Sequence, residues 1–215
     1  MRFSDEVRAE AEPIWAAQHA HPFVRGVGEG TLDSGAFRVY VRQDYLFLVE
    51  YGRLLALASA RAPRLELQRR FAELAGEILG TEMELHRRYA AEWGIAADEL
   101  EREEALPVTR AYTDFLLRVA VLGDFAELVA ALLPCMWGYA ELARNLPRPE
   151  HDLYARWVDM YACADFQELA AWCRDVFDEA AETGDREQMR RAFLQSSCHE
   201  LAFWDVARDA QKVRS

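Results

Sequence analysis

Apolar residues recur at helical spacing along almost the whole chain. In the middle, Leu128, Leu132, Cys135, Tyr139 and Leu142 follow one another at intervals of three or four residues, which places them on one face of a helix. Runs of alternating polarity rich in β-branched residues, which are typical of strands, are scarce. The pattern predicts an all-α fold, a single-domain multi-helix bundle of about eight or nine helices spanning residues 1–215.

Caps, glycines and prolines divide this pattern into segments. The predicted helices are Ser4 to about His19 with a bend at Pro13, Asp33 or Ser34 to about Arg61, about Leu65 to Trp93, about Val108 to Val121, the segment after Asp124 to near Asn145, and then 151–161, 165–183 and 185–213. The glycine-rich stretch from His21 to Ser34 is predicted to be short and irregular. Because the connections are short, neighbouring helices should run antiparallel.

Composition and net charge exclude several classes of protein and of binding partner. Hydrophobic residues make up 52% of the 215 residues, which excludes a disordered chain. The net charge of −12 would repel a phosphate backbone, so we expect no nucleic-acid partner. The N-terminus has no apolar signal core and no run approaches membrane-spanning length, so we expect a cytoplasmic protein with no membrane partner. The four cysteines lack Cys-x-x-Cys spacing and are expected as thiols.

Pro134 and Cys135 stand together inside the central predicted helix. A proline there removes one backbone hydrogen bond and crowds the carbonyl of the preceding turn, so the sequence predicts a kink. Cys135 follows directly and faces inward beside Tyr139. Such a thiol fits either a nucleophile in a pocket or a small apolar core residue, and lone inward cysteines are more often core residues.

Two carboxylates occupy predicted apolar faces. Asp44 shares a helix face with Tyr40, Phe47 and Tyr51, and Glu200 shares one with Phe193, Ser197, Phe203 and Trp204. A buried carboxylate without a partner is costly, so each is either a structural hydrogen-bond acceptor or an acid or base of a site. A catalytic interpretation requires that these groups meet, which spacing alone does not establish.

The remaining titratable residues indicate neither a metal nor a cofactor. The histidines at positions 19, 21, 86, 151 and 199 are scattered, and none lies in the Glu-x-x-His spacing of di-iron bundles. Glu82 and His86 share a helix face, but one pair is weak evidence for a metal. No glycine-rich phosphate loop is present.

Five motifs follow one another along the chain. They are His21-Pro22-Phe23 with Gly30-Thr31-Leu32, Tyr40-x-x-Gln43-Asp44-Tyr45, Leu133-Pro134-Cys135-x-x-Gly138-Tyr139, Trp157-x-x-x-Tyr161-x-x-x-Asp165-Phe166, and Glu200-x-x-Phe203-Trp204-Asp205. In this order they resemble the TenA family, the thiaminase II or aminopyrimidine aminohydrolase proteins. The resemblance covers roughly residues 5–210. It implies a heme-oxygenase-like all-α fold, a homotetramer without metal or haem, and hydrolysis of a 4-amino-2-methylpyrimidine at its 5-methylene carbon, with an aminopyrimidine or thiamine as the small-molecule partner.

The resemblance also assigns roles residue by residue. Cys135 becomes the nucleophile and Glu200 the acid/base that handles a ring proton. The implied substrate-binding residues are Asp44 on the amino-pyrimidine edge, the aromatic rings of Phe47, Tyr51, Tyr139 and Phe203, and the hydroxyls of Tyr112 and Tyr161, which would tune the thiol and the glutamate.

Several alternatives remain open at this level. The leaving group could be ammonia, the thiazole of thiamine or a formylamino derivative. Cys198 and His199 stand before Glu200, where the family usually has an aromatic residue, so the pocket for that leaving group is undefined. Other functions on the same fold are a cofactor-free or metal-dependent oxidase, and a thiamine-related binding or regulatory protein.

Overall fold

A computed structural model describes residues 1–207 and contains α-helices with no strand in that range. The helices are α1 Phe3–Glu10, α2 Glu12–His19, α3 Pro22–Glu29, α4 Ser34–Arg61, α5 Leu65–Glu77, α6 Met83–Glu92, α7 Ala97–Glu101, α8 Pro107–Leu122, α9 Phe125–Asn145, α10 Asp152–Ala162, α11 Ala164–Ala180 and α12 Arg186–Phe203. The all-α prediction is therefore confirmed. The part of the last predicted helix beyond 207 lies outside the described residues.

Helices form two compact units, each with its own core. Unit 1 comprises residues 1–33 and 126–204, and unit 2 comprises residues 34–125 with 205–207 of the described chain. In unit 2 the long helix α4 packs against α5, α6, α7 and α8. In unit 1, side chains of α1, α2, α10, α11 and α12 contact α9, and α3 packs against α2 and α10. The assignment of residues 1–215 to one domain stays a prediction.

The first predicted helix is two helices. The chain turns at Ala11, and Pro13 lies in the first turn of α2, where its missing N–H leaves no helical hydrogen bond unmade. The predicted bend at Pro13 is thus a helix boundary two residues earlier.

The stretch predicted to be irregular contains α3, so that prediction is wrong. His21 Nδ1 accepts from the Phe23 N–H over 3.2 Å and caps the helix. A Cβ at Gly28 would lie 2.7 Å from the Leu146 side chain, so this glycine permits close packing. Gly30, at φ 70°, ends the helix in the left-handed conformation. Tertiary contact here outweighs the low helix propensity of glycine.

A π-helical turn, Ile78–Glu82, joins α5 to α6. The Met83 N–H donates to the Ile78 carbonyl five residues back instead of four. One residue is thereby added to the turn, which rotates α6 by about 100° relative to an uninterrupted helix. Side chains of α6 consequently face a different direction from the one that simple helical counting predicts.

Helix α9 carries Cys135 and is long and apolar enough to span a membrane by length and composition, so the expectation that no run approaches that length is wrong. However, 72% of its most apolar window is buried inside the protein, as in a core helix. The helix continues through Pro134 to Asn145 without interruption. On its far side, Glu141 pairs with Arg8 at 2.7 Å and with His19 at 3.2 Å, which fastens α9 to the N-terminal helices.

Candidate active site

Asp44 lies in a buried polar cluster of unit 2 and is only 2% exposed. Tyr40, one turn earlier on α4, donates its O–H to Asp44 Oδ2 over 3.1 Å, and His86 Nε2 lies 2.7 Å from the same oxygen. The second ring nitrogen of His86, Nδ1, lies 3.0 Å from the Glu82 carbonyl. The carboxylate therefore has the partners that burial requires.

His86 is held in an environment that favours its charged form. Burial alone lowers the pKa of His86, but the hydrogen bond and the charge of Asp44, with smaller contributions from Glu82, outweigh burial and raise that pKa. The charge on Asp44 thus has a buried counter-ion.

Of the rings predicted on the Asp44 face, Phe47 and Tyr51 contact each other, and Tyr112 joins them. Its ring centroid lies 5.4 Å from that of Tyr51 and 4.9 Å from that of Tyr112 on α8. Gln43 fixes the start of α8, because its Oε1 accepts from the Leu106 N–H at 2.9 Å. Phe47, Tyr51 and Tyr112 consequently form one ring cluster in unit 2, the unit that also contains Asp44.

Cys135 has a more open environment on α9 in unit 1. Its side chain is partly exposed, whereas Leu132 and Tyr139 on the same helix face are buried. Gly138, one turn after the thiol, is itself buried, yet a Cβ built on it meets no atom within 4 Å. A methyl group at this position, three residues after Cys135 on the same helix, would therefore meet open space. None of the four cysteines, all within the described residues, is in a disulfide.

A hydrogen bond ties α9 to α12 just before both catalytic candidates. The Ser196 hydroxyl donates to the Ala131 carbonyl over 2.7 Å. Ala131 lies one helical turn before Cys135, and Ser196 lies one turn before Glu200. The two helices therefore touch on the N-terminal side of both residues.

A second contact lies just after them. The rings of Tyr139 and Trp204 have centroids 5.3 Å apart, and these residues follow Cys135 and Glu200 by one turn each. The thiol and the carboxyl thus lie between the same two contacts on adjacent helices. Glu200 is 2% exposed, so a charge on it is well shielded from water.

Tyr139 belongs to a buried aromatic cluster in unit 1. Its centroid lies 4.9 Å from that of Tyr161 and 5.8 Å from that of Trp157. Phe203, three residues after Glu200, is also buried. The structure thereby assembles Cys135, Tyr139, Tyr161, Glu200 and Phe203 in unit 1.

The residues before Glu200 face a different environment. Cys198 is exposed, and His199 is partly buried with its Nε2 3.2 Å from Gln195 Nε2. Burial lowers the pKa of His199. His199 is therefore disposed to stay neutral, unlike His86.

Two surface cavities of about 630 and 870 Å³ lie in unit 2, along α4, α8 and the residues before α8. The charged residues that line the smaller cavity include Arg42, Glu103, Arg110 and Asp114. The sequence-predicted site residues do not line either cavity. Within residues 1–207, no group of three or more His, Cys, Asp and Glu side chains could hold a metal ion.

Sequence reasoning missed the role of His86. It considered His86 with Glu82 as a weak metal pair, whereas the structure places the imidazole against Asp44, 42 residues away. The available signal was the apolar face of α6, where His86 stands beside buried Leu85 and Tyr89.

Comparison with known proteins gives a consistent result. The chain is 39% identical over 214 residues to the aminopyrimidine aminohydrolase of Halalkalibacterium halodurans, with 96% of each chain covered. A TenA homologue from P. horikoshii OT3 superposes with a TM-score of 0.88 at 32% identity, covering 97% of this chain and 100% of that one. A domain from Shewanella denitrificans described as having a heme oxygenase-like fold matches with a TM-score of 0.67 at 13% identity, covering 98% and 94%.

The predicted heme-oxygenase-like architecture is thus confirmed. The model of the TENA/THI-4/PQQC family matches residues 8–210, nearly the whole chain. With the motifs around Asp44, Cys135 and Glu200 in order and the fold in agreement, this chain belongs to the TENA/THI-4/PQQC family.

Proposed function

We propose that this protein is an aminopyrimidine aminohydrolase, or thiaminase II, of thiamine metabolism. It hydrolyses the C–N bond at the 5-methylene of 4-amino-5-aminomethyl-2-methylpyrimidine, and of thiamine as a second substrate, to give the hydroxymethylpyrimidine. The carrying observation is the placement of Cys135 and Glu200 between shared contacts of α9 and α12, in a chain similar over its full length to a protein of that name.

Cys135 and Glu200 carry the proposed chemistry. A saturated C–N bond at a methylene resists hydrolysis, so the ring must first be activated. The Cys135 thiolate adds to ring carbon C6 while Glu200 delivers a proton to N1, and the resulting enamine expels the leaving group from the methylene. Ammonia leaves from the protonated aminomethyl group, and the thiazole leaves from the thiazolium. Water then adds to the exocyclic methylene and gives one proton to solvent, Glu200 recovers the N1 proton, and loss of the thiolate restores the aromatic ring.

The other site residues bind the substrate in this proposal. Asp44 accepts a hydrogen bond from the amino-pyrimidine edge, and the rings of Phe47, Tyr51, Tyr139 and Phe203 hold the flat pyrimidine. Tyr112 and Tyr161 tune the thiol and the glutamate through hydrogen bonds. Support comes from burial and from the ring contacts of Phe47 and Tyr139 within their respective clusters.

The test compares ammonia release from the aminomethylpyrimidine with thiazole release from thiamine on one preparation. Cys135→Ser should lower turnover of either substrate by ~10²-fold or more while ligand binding persists, because a serine hydroxyl is a far weaker nucleophile. Cys163→Ser is the matched control, since that thiol is exposed and donates to the Met160 carbonyl over 3.1 Å.

A Cys135→Ser enzyme with unchanged turnover would exclude covalent catalysis by this residue. Stoichiometric iron or manganese in the purified, active protein would favour the oxidase alternative instead. Absence of release from both substrates would exclude the proposed reaction itself.

The proposed setting is a cytoplasmic homotetramer. This rests on the family resemblance and on the acidic charge of −12, which suits neither nucleic acid nor an anionic membrane surface. Light scattering of the purified protein should give four times the chain mass, and a monomer mass at assay concentration would contradict it.

A further inference from the structure

His86 makes two contacts that determine where its protons are. Nε2 faces the Asp44 carboxylate at 2.7 Å and Nδ1 faces the Glu82 carbonyl at 3.0 Å. A carbonyl can only accept, and an ionised carboxylate can only accept. A neutral imidazole has one N–H and could satisfy one of these contacts, so both are made only by the doubly protonated ring.

Tyr40 helps to locate the negative charge. Its hydroxyl donates to Asp44 Oδ2, the same oxygen that faces His86. Because Oδ2 accepts two hydrogen bonds, protonation of this oxygen is unfavourable. The proton between His86 Nε2 and Asp44 Oδ2 is therefore on the imidazole, and the negative charge is on Asp44. All three residues are at most 2% exposed, which keeps water from replacing either donor.

The two oxygens of Asp44 therefore differ. Oδ2 receives both donors, whereas Oδ1 hydrogen-bonds to no residue that the structure describes. Oδ1 of a carboxylate held in this way can accept a hydrogen bond and cannot donate one. A ligand group that meets it must carry an N–H or O–H.

We propose that His86 is a specificity-determining positioning residue, which holds Asp44 ionised and turned so that Oδ1 accepts from the exocyclic amino group of the pyrimidine. This deepens the proposed function and rests on it. The π-helical turn before α6 contributes, because it sets the direction in which His86 leaves the helix and supplies the Glu82 carbonyl.

The test measures how strongly the protein prefers a ligand with that amino group. Equilibrium binding is measured for 4-amino-5-hydroxymethyl-2-methylpyrimidine and for 5-hydroxymethyl-2-methylpyrimidine, which lacks the amino group. The wild type should prefer the amino compound by roughly 10- to 100-fold, the range expected for a hydrogen bond to a charged group.

His86→Leu should reduce this preference to within a few-fold, and His86→Gln, which keeps an N–H but no charge, should be intermediate. Tyr40→Phe removes the longer of the two hydrogen bonds and should have a smaller effect. Arg88→Leu, which removes an exposed cation from the same helix, is the matched control and should leave the preference unchanged.

Equal weakening of both ligands in the His86 variants would mean a merely structural role and would overturn the proposal. Nitrogen-15 NMR of the wild type tests it independently of any variant's folding: a His86 ring with one N–H at pH 7 would also overturn it. If the wild type bound neither pyrimidine, or bound them without turning over the aminomethyl compound, the proposed function would fail, while the NMR result would still decide the protonation state of His86.

Discussion

The surroundings of Asp44 and of Cys135 differ in burial and in packing. Around Asp44 the polar groups are buried, ion-paired and held on both sides, and the surrounding rings touch one another. Cys135, by contrast, is partly exposed, and a Cβ built on the neighbouring Gly138 would meet no atom within 4 Å. A binding group gains from being fixed in advance, whereas a nucleophile needs room for the atoms it attacks. The four substitutions below test this contrast.

The largest expected effect is at Glu200. Glu200→Gln keeps the shape and burial of the side chain but removes its ability to transfer a proton. We expect kcat to fall by ~10²–10⁴-fold with little change in KM. Steady-state kinetics with the aminomethylpyrimidine measures both constants. A variant that lost affinity but kept kcat would place Glu200 among the binding groups instead.

Asp44→Ala should affect both binding and folding, because it leaves the His86 charge buried without its carboxylate. We expect a loss of about 3 kcal/mol in the free energy of unfolding, as for other broken buried pairs. Substrate affinity should fall by ~10-fold or more. Urea denaturation and equilibrium binding provide the two readouts.

Asp152→Ala is the comparison for Asp44→Ala, since that carboxylate is 85% exposed and pairs with Arg156 on the surface of α10. If both substitutions lowered the free energy of unfolding by the same amount, the Asp44–His86 pair would not be stabilised by its burial.

Gly138→Ala should separate stability from activity on the Cys135 face. Alanine favours a helix over glycine by about 0.5–1 kcal/mol, and the new methyl group meets open space, so the protein should be as stable or more stable. The same methyl group would occupy room beside the thiol, and kcat/KM should fall by ~10-fold. Unchanged kcat/KM would show that the open space at Gly138 is not used by the substrate.

The smallest expected effect is on stability, through Glu141, which links α9 to the N-terminal helices. Burial raises the pKa of Glu141, but its hydrogen bonds to His19 and Arg8 outweigh burial and lower that pKa to about 2. Because the folded-state pKa lies below the ordinary 4.5, the stabilisation is present above pH 4.5 and is lost as the pH falls through this range towards 2. Solvent screening of the partly exposed group reduces the expected contribution to about 1–2 kcal/mol.

Glu141→Gln should therefore lower stability at pH 7 and flatten its decline between pH 5 and 3, as measured by urea midpoints. Glu168→Gln, an exposed carboxylate of α11, serves as control. Parallel pH curves for wild type and Glu141→Gln would contradict the anchoring role.

The sequence predicted the helical faces well and the local irregularities poorly. The stripes through Asp44 and through Glu200 are buried as helical spacing indicates. Helical periodicity is a property of a single segment, so it can be recognised without knowing which helices pack against that segment. Helix α3 escaped prediction because its glycines are tolerated only through contacts such as that between Gly28 and Leu146, far along the chain.

The partner of Asp44 was missed for a related reason. A one-residue π insertion between α5 and α6 leaves the apolar pattern almost unchanged, yet it changes the direction of every later side chain on α6. The roles of Cys135 and Glu200 came from the family resemblance and stay predictions, since neither burial nor spacing distinguishes a catalytic thiol from a core residue.

The number of residues in the π-helical turn sets the direction of the His86 side chain. Removing one residue between Ile78 and Glu82 would leave an ordinary continuous helix, with no apolar residue lost from the core. The imidazole of His86 would nevertheless point about 100° away from Asp44. Any relative that keeps a histidine on Asp44 must therefore keep the length of this turn as well, so the number of residues there carries information that their identities do not.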